Sequence, residues 1–196
     1  KMVGRTVSFK VEKEQAEPGE VILELDKLSV RNQKVLGLKG FSLAVRAGEI
    51  LGVAGVDGNG QSELVEAISG LARVESGTIR LKGRDITTLP VRERVNAGLA
   101  HIPEDRHKHG LVMEFSIEDN LVLKKYNTPP FSKRGILNRE MISKHAMQVM
   151  ELFDVRAGQG QFSPAHTLSG GNQQKAIVGR EIDSNPDLLI AVQPTR

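Results

Sequence analysis

The chain has no cysteine and no tryptophan, a single tyrosine and an aromatic fraction of 4%. Without cysteine there is no disulfide framework, no thiolate metal site and no cysteine nucleophile, which fits a reducing compartment. Long apolar runs are missing too. The longest, Leu188 to Val192, falls far short of the roughly 18–20 residues that a membrane-spanning helix needs, and Lys1 to Glu20 holds no apolar stretch of the signal-peptide kind. The chain is therefore expected to be soluble where it is made. It also lacks a dominant charge: 27 Lys and Arg against 24 Asp and Glu leave a net +3, too weak a field to argue for nucleic acid as a partner. What is present is 39% apolar residues in a chain of 196, enough to bury a core without staples and too apolar for a disordered tail.

Lys1 to Glu20 mixes acidic and basic residues and closes on Glu17, Pro18 and Gly19, the composition of a linker entering a domain. Beyond it, Leu23 and Leu25, and then Phe41, Leu43 and Val45, alternate with polar neighbours, which predicts two antiparallel strands. Ile50 to Ala54 is a short apolar run of the kind a buried parallel strand shows. After a glycine loop the period changes, and Leu64, Ile68 and Leu71 predict a helix ended near Gly70. Thr78 to Leu81, Leu99 to Ile102 and Leu188 to Val192 are further strand candidates, the last a buried one, and Val91 to Ala97 is a short helix. Between Phe115 and His166 the pattern is mainly helical, with Asn138 as the N-cap of a helix carrying Ile142, Ala146, Val149 and Phe153 on one face. Lys124, Lys125, Lys133, Arg134, Arg139 and Lys144 make this part locally basic, read as a solvated face. Gly170 to Ile182 predicts a last helix.

Two glycine clusters carry chemistry. Gly55, Val56, Asp57, Gly58, Asn59, Gly60, Gln61 and Ser62 follow the phosphate-loop spacing G-x-x-x-x-G-K-S/T except at Gln61, where the lysine belongs. Such a loop works mostly through backbone N–H groups and the positive end of the following helix, and both survive here. The missing lysine removes a cation from the β and γ phosphates, while Ser62 keeps a hydroxyl where Mg²⁺ is normally held. Alone, this loop also fits a plain glycine turn. Roughly 110 residues later, Leu168, Ser169, Gly170, Gly171, Asn172, Gln173, Gln174 and Lys175 again place a hydroxyl and glycines at a helix start.

That second octet resembles the signature motif of the ABC ATPase family, in the form found in simple-sugar and nucleoside importers. Other segments resemble the same group in the same order. His101 to Arg106, with Gly110, Leu111, Ser116, Ile117 and Asn120 after it, resembles the Q-loop region and the entry to the helical subdomain. Met2, Val3, Gly4 and Arg5 resemble the junction after the first of two fused ATPase domains. The resemblance covers essentially the whole chain and identifies it as the second nucleotide-binding domain of such a pair. It implies an α/β fold: a P-loop NTPase (RecA-like) core with an antiparallel β subdomain and a helical signature subdomain. Residues 1–20 would be the inter-domain linker and 21–196 the ATPase domain, with the helical subdomain at about 115–168. Because the family's D-loop aspartate and switch histidine come after Walker B, the resemblance also implies a C-terminally truncated domain.

Several departures from the family pattern point one way. Leu188 to Thr195 resembles Walker B without its carboxylates: Val192 stands at the Mg²⁺-supporting aspartate, and Gln193 at the glutamate that polarises the attacking water. Glu104 falls near the Q-loop glutamine, and Val30 stands where an aromatic residue often underlies the adenine. The resemblance implies ATP and Mg²⁺ as cofactors, with Mg²⁺ poorly supported in this domain. Gly55, Gly58, Asn59, Gly60, Gln61 and Ser62 would bind nucleotide, and Leu168, Ser169, Gly170, Gly171, Asn172 and Gln173 would serve the nucleotide held by the other domain. No catalytic residue is assigned beyond Gln193 and Glu104 as occupants of the usual positions. Expected partners are the first ABC domain of the same chain, membrane permease subunits and, indirectly, an extracytoplasmic solute-binding protein. The expected place is the cytoplasmic face of the membrane. Two other readings stay open: a non-hydrolytic nucleotide-binding regulatory module, and an ABC ATPase of DNA repair or translation, against which the modest net charge counts. His101, His107, His109, His145 and His166 lack carboxylate or cysteine at ligand spacing and are read as ordinary surface or loop residues.

Overall fold

In the computed structural model, which describes residues 17–32, 35–56 and 58–195, the first alternating segments form β1 (Val21–Asn32) and β2 (Val35–Arg46), paired antiparallel as expected. Leu23 lies opposite Val45, Leu25 opposite Leu43 and Leu28 opposite Phe41. β3 (Val74–Leu81) pairs with the other edge of β1, and the two-residue β4 (Arg84–Asp85) completes an antiparallel sheet ordered β2-β1-β3-β4. Its buried side chains, among them Leu25, Leu28, Val30, Ile79 and Leu81, meet Leu64, Ala67 and Ile68 of α1 (Gln61–Ser69) in one core. Each large aliphatic group buried there contributes about 2 kcal/mol. The junction Met2–Arg5 and most of the expected linker lie outside the described residues.

α1 ends at Gly70, whose left-handed backbone (φ 82°) turns the chain away. Its last carbonyls are taken up by Arg94 of α2 (Val91–Asn96), a guanidinium 2% exposed. Arg94 donates to Ala67 O (2.5 Å), Ile68 O (2.8 Å), Leu89 O (2.8 Å) and Thr87 O (2.8 Å). Burial lowers its pKa from the usual arginine value.

β5 (Leu99–Ile102) and β8 (Leu188–Ala191) form a parallel pair with Leu99 opposite Leu188 and Ile102 opposite Ala191. Ile50–Ala54 does not join them. Contrary to expectation it is irregular, and Ile50 is 92% exposed. The parallel sheet among the described residues holds only β5 and β8, so this run has no ladder partner, and unpaired backbone turns to solvent. For the same reason β8 is half-exposed, Leu189 included, where the apolar run predicts burial.

The remaining helices are α3 (Ile117–Leu121), α4 (Arg139–Leu152) and α5 (Gly170–Asp183), joined by turns and the small ladder of β6 (Ser132–Lys133) and β7 (Ile136–Leu137). α4 starts where expected, with Asn138 Oδ1 accepting from Met141 N, and it buries Ile142, Ala146 and Val149. A second core gathers Ala146 and Val149 with Ile117, Leu121, Ala176, Ile177 and Ile102, and Ile142 packs with Val122 and Phe131 in a separate cluster. Two of the basic side chains expected to face solvent are instead partly buried in ion pairs, Lys124 with Glu181 (2.5 Å) and Lys125 with Asp183, whereas Arg139 stays exposed as expected while pairing with Asp119 (2.5 Å). Two of the five histidines, expected at the surface, are partly buried. His101 in β5 is largely buried, and desolvation, followed by the nearby Lys124 charge, pushes its pKa down to about 4 against the opposing pull of Glu181. His145 of α4 packs against Phe131 with 5.0 Å between ring centroids and contacts Asp183. Burial lowers its pKa as well.

Candidate functional site

The glycine loop leads directly into α1. Gly58 and Gly60 have φ of 84° and 96°, a left-handed backbone that glycine alone adopts without strain. A side chain at Gly60 would also stand 2.7 Å from Gly37 O, so the loop can lie this close to β2 only with glycine there. Gly60 is the N-cap of α1 and brings no side-chain cap to its start, the form of helix N-terminus that suits an anion. Gly55, Gly58, Asn59 and Ser62 are exposed. Gln61 is the exception: its amide folds back, and a Cβ on Gly55 would overlap Gln61 Nε2. The loop that the spacing predicts is thus present, with a neutral amide lying across it. Asp57 lies outside the described residues. Val30 is fully buried in the core and faces away from the surface, so its alignment with the adenine-stacking residue does not correspond to a place beside a ligand.

The fit to ATP and Mg²⁺ is uneven. The uncapped helix start and left-handed glycines suit phosphate oxygens. For Mg²⁺ the loop offers the Ser62 hydroxyl, whereas the side chain of Val192 has no oxygen to give and that of Gln193 offers only a neutral amide.

At the second glycine cluster, Ser169 is the N-cap of α5. Its Oγ accepts from Asn172 N (3.4 Å) and Asn172 Nδ2 (3.0 Å), and Asn172 Oδ1 in turn accepts from Arg156 N (2.9 Å). Gly170 and Gly171 are exposed: a Cβ at Gly171 would meet open space, and one at Gly170 would have only Arg106 nearby, at 3.5 Å. Two backbone N–H groups at a helix start are therefore approachable without side-chain obstruction. Leu168 is buried and anchors the motif in the second core. Gln173 is 4% exposed and donates to Ala165 O (3.1 Å) and Leu168 O (3.3 Å), which pins the turn entering the helix. Further along α5, Lys175 Nζ binds Asp154 Oδ2 (2.7 Å) and Asp154 O (2.8 Å). Hydrogen bonds from Lys175 and Arg156 hold the Asp154 carboxyl down at a pKa of about 2.

The structure brings Glu104 and Gln193 together: Gln193 Nε2 donates to Glu104 Oε1 at 2.9 Å. Gln193, expected at the water-polarising position, thus acts as a donor in this contact, the reverse of a base. Val192 N donates to Ile102 O (3.0 Å), and Gln174 of α5 donates to Pro194 O (2.9 Å), so the end of β8 is tied to both β5 and α5. Beside it, Glu104, Asp105, Arg106 and His107 line a cavity of about 470 Å³. His107 is exposed, as its sequence context predicts, and it also has a partner 66 residues away: its Nε2 lies 3.1 Å from Gln173 Oε1.

A sequence profile of the ABC transporter family matches residues 38–196. This chain belongs to the ABC transporter family. Over its full length it is 54% identical to the nucleoside import ATP-binding protein NupA of Lactococcus lactis subsp. cremoris and 52% identical to the guanosine import ATP-binding protein NupO of Bacillus subtilis, spanning 38% of each. It is 36% identical to a ribose import ATP-binding protein, RbsA, of Lactococcus lactis subsp. cremoris, again over 38% of that protein. The chain therefore covers well under half the length of these curated relatives. Among solved structures, a nucleotide-free ATP-binding cassette from an ABC transporter superposes with a TM-score of 0.73 at 22% identity, covering 90% of this chain and 70% of the other. A dimeric post-hydrolysis cassette, MJ0796 bound to ADP and Pi, gives 0.70 at 20% identity, covering 89% and 75%. The fold is that of these ABC cassettes: α/β, with an antiparallel β subdomain and a helical part. ABC ATPase domains bind ATP with Mg²⁺. Among the described residues no helix is long and apolar enough to cross a membrane.

Proposed function

We propose that this chain is the second ATP-binding domain of the energy-coupling subunit of an ABC importer, and that it donates its signature motif to ATP held by the first domain. The observation that carries the reading is the contrast between its two glycine clusters. At Ser169–Gly171 the helix start is open and rigidly held, whereas at its own loop Gln61 lies over Gly55 and Gln193 donates to Glu104. In this reading the partner domain supplies the lysine and the Walker B carboxylates. ATP supplies the γ-phosphate whose transfer to water drives transport. Ser169 Oγ and the N–H groups of Gly170 and Gly171 bind and orient that phosphate, fixed dipoles that need no reorganisation as charge develops. Gly58, Asn59, Gly60, Gln61 and Ser62 hold a second nucleotide without turning it over at a useful rate, because nothing at Val192 or Gln193 can take a proton from water.

Nucleosides are the favoured cargo. Identity to the two nucleoside and guanosine import proteins, 54% and 52%, exceeds the 36% to the ribose import protein. The subunit would sit on the cytoplasmic face of the membrane against permease subunits, with a solute-binding protein acting from the far side. The test is hydrolysis by the full-length protein with its membrane subunits. Ser169→Arg should remove nearly all ATP turnover and uptake, a loss of at least about a hundredfold, whereas Gln61→Ala should keep most of both. Equal losses would sink the asymmetric reading.

A further inference from the structure

The signature cluster has a support that neither the family pattern nor the proposed division of labour uses. Gln173 has both amide hydrogens committed, to Ala165 O and Leu168 O, the carbonyls of the turn that delivers Ser169 to the helix start. Its Oε1 is then an acceptor, and the group facing it at 3.1 Å is His107 Nε2. Because an amide oxygen cannot donate, His107 must carry its proton on Nε2 to make this bond. His107 is itself held from behind. Asp105 Oδ1 accepts from His107 N (2.9 Å) and Lys108 N (3.0 Å), which closes the single wide helical turn Arg106–Gly110 and lowers the Asp105 pKa below the usual carboxylate value. One residue earlier, Glu104 accepts from Gln193 at the end of β8. A four-residue strap, Glu104 to His107, thus joins the Walker B end of the domain to the turn behind its signature.

We propose that His107 is a positioning residue for the signature motif: its Nε2–H fixes the Gln173 amide, and through it the turn that aims Ser169, Gly170 and Gly171. His107 touches no phosphate in this arrangement and acts only through Gln173. The role rests on the reading above that Ser169–Gly171 serve a nucleotide during turnover. Loss of aim at a group that works mainly in the transition state lowers kcat and leaves KM nearly unchanged. Glutamine at position 107 can place an amide N–H close to where the imidazole Nε2–H stands, so it should restore what phenylalanine cannot.

The experiment is steady-state ATP hydrolysis by the full-length protein assembled with its membrane subunits. The variants are His107→Phe, His107→Gln, Gln173→Leu and the double variant His107→Phe/Gln173→Leu, with Ser169→Arg as reference. One neutral hydrogen bond corresponds to a loss of about tenfold at most. The expected result is kcat down about five- to tenfold for His107→Phe with KM for ATP within about twofold, and at least half of wild-type kcat for His107→Gln. The double variant should be no slower than Gln173→Leu alone, since both remove one contact. If Ser169→Arg is inactive while His107→Phe matches wild type, or His107→Gln is as slow as His107→Phe, or the loss appears as a raised KM, the positioning role is wrong and the signature reading stands. If Ser169→Arg hydrolyses normally, the signature reading itself has failed and the proposed role falls with it. Should His107→Phe not assemble with the membrane subunits, the comparison of His107→Gln with Gln173→Leu decides: equal loss overturns the proposal, and retention by His107→Gln alone supports it.

Discussion

Replacing Glu181 by glutamine should loosen the signature helix without touching the signature. Glu181 is fully buried, and three groups converge on it: Lys124 Nζ at 2.5 Å, Arg180 Nε at 2.9 Å and His101 N at 3.3 Å. It thereby joins α5 to β5 and to the segment after α3. The Gln variant keeps the shape but removes the negative charge, which leaves the Arg180 guanidinium, with its side chain 5% exposed, buried without a counter-charge. Arg180 Nη1 already has no hydrogen-bond partner among the described residues, so the guanidinium is under-satisfied even before the charge is removed. Breaking one side of a buried pair costs about 3–5 kcal/mol. Lys124, with its side chain 29% exposed, can turn to water and adds little, so the low end, about 3 kcal/mol, applies. At 1.4 kcal/mol per decade this is roughly a hundredfold increase in local opening. Hydrogen exchange on the full-length protein should show α5 amides exchanging about a hundredfold faster, with α4 changed far less. Exchange in α5 within about threefold of wild type would refute the claim that this carboxylate holds the elements together. A double replacement, Arg180→Met with Glu181→Leu, should recover much of the protection, because an apolar pair of similar volume carries no desolvation cost.

Arg94→Met strands the carbonyls of Ala67, Ile68, Leu89 and Thr87. At about 1 kcal/mol per net hydrogen bond, less the guanidinium's own desolvation cost, stability should fall by about 3 kcal/mol in urea unfolding; a change under about 0.5 kcal/mol would contradict the capping role. A pH effect follows from His101, whose pKa of about 4 in the fold lies below its ordinary 6.5. The unfolded chain then binds the extra proton first, so stability is intact above pH 6.5 and declines as pH falls from there towards 4. The decline attributable to this group is about 2–3 kcal/mol. His101→Asn should flatten that part of the curve, and an unchanged slope would show that other groups set it.

Some of this architecture was readable from local pattern. Period-2 alternation located β1 and β2 and their antiparallel pairing, and Asn138 and Ser169 marked helix starts because capping needs only a side-chain oxygen and the next turn's N–H. The two glycine clusters were legible for the same reason: their chemistry is backbone geometry within a few residues. Ile50–Ala54 was misjudged because apolarity reports a wish to be buried and says nothing of whether a neighbouring strand offers hydrogen bonds. The basic run at Lys124 and Lys125 was misjudged because its acidic partners, Glu181 and Asp183, lie 57 and 58 residues away along the chain. His107 and Gln173 are 66 residues apart, and no spacing rule links them. Long-range pairing of polar groups is where sequence pattern runs out, and here much of it converges on α5.

Loading the full-length protein, in complex with its membrane subunits, with γ-labelled ATP and following phosphate release in a rapid-quench single turnover tests the asymmetric account most directly. The account predicts that half of the bound ATP is cleaved in one fast phase. The other half, at the loop built on Gln61 and Ser62, should remain ATP for at least about a hundredfold longer. Cleavage of all bound ATP in a single phase would contradict it.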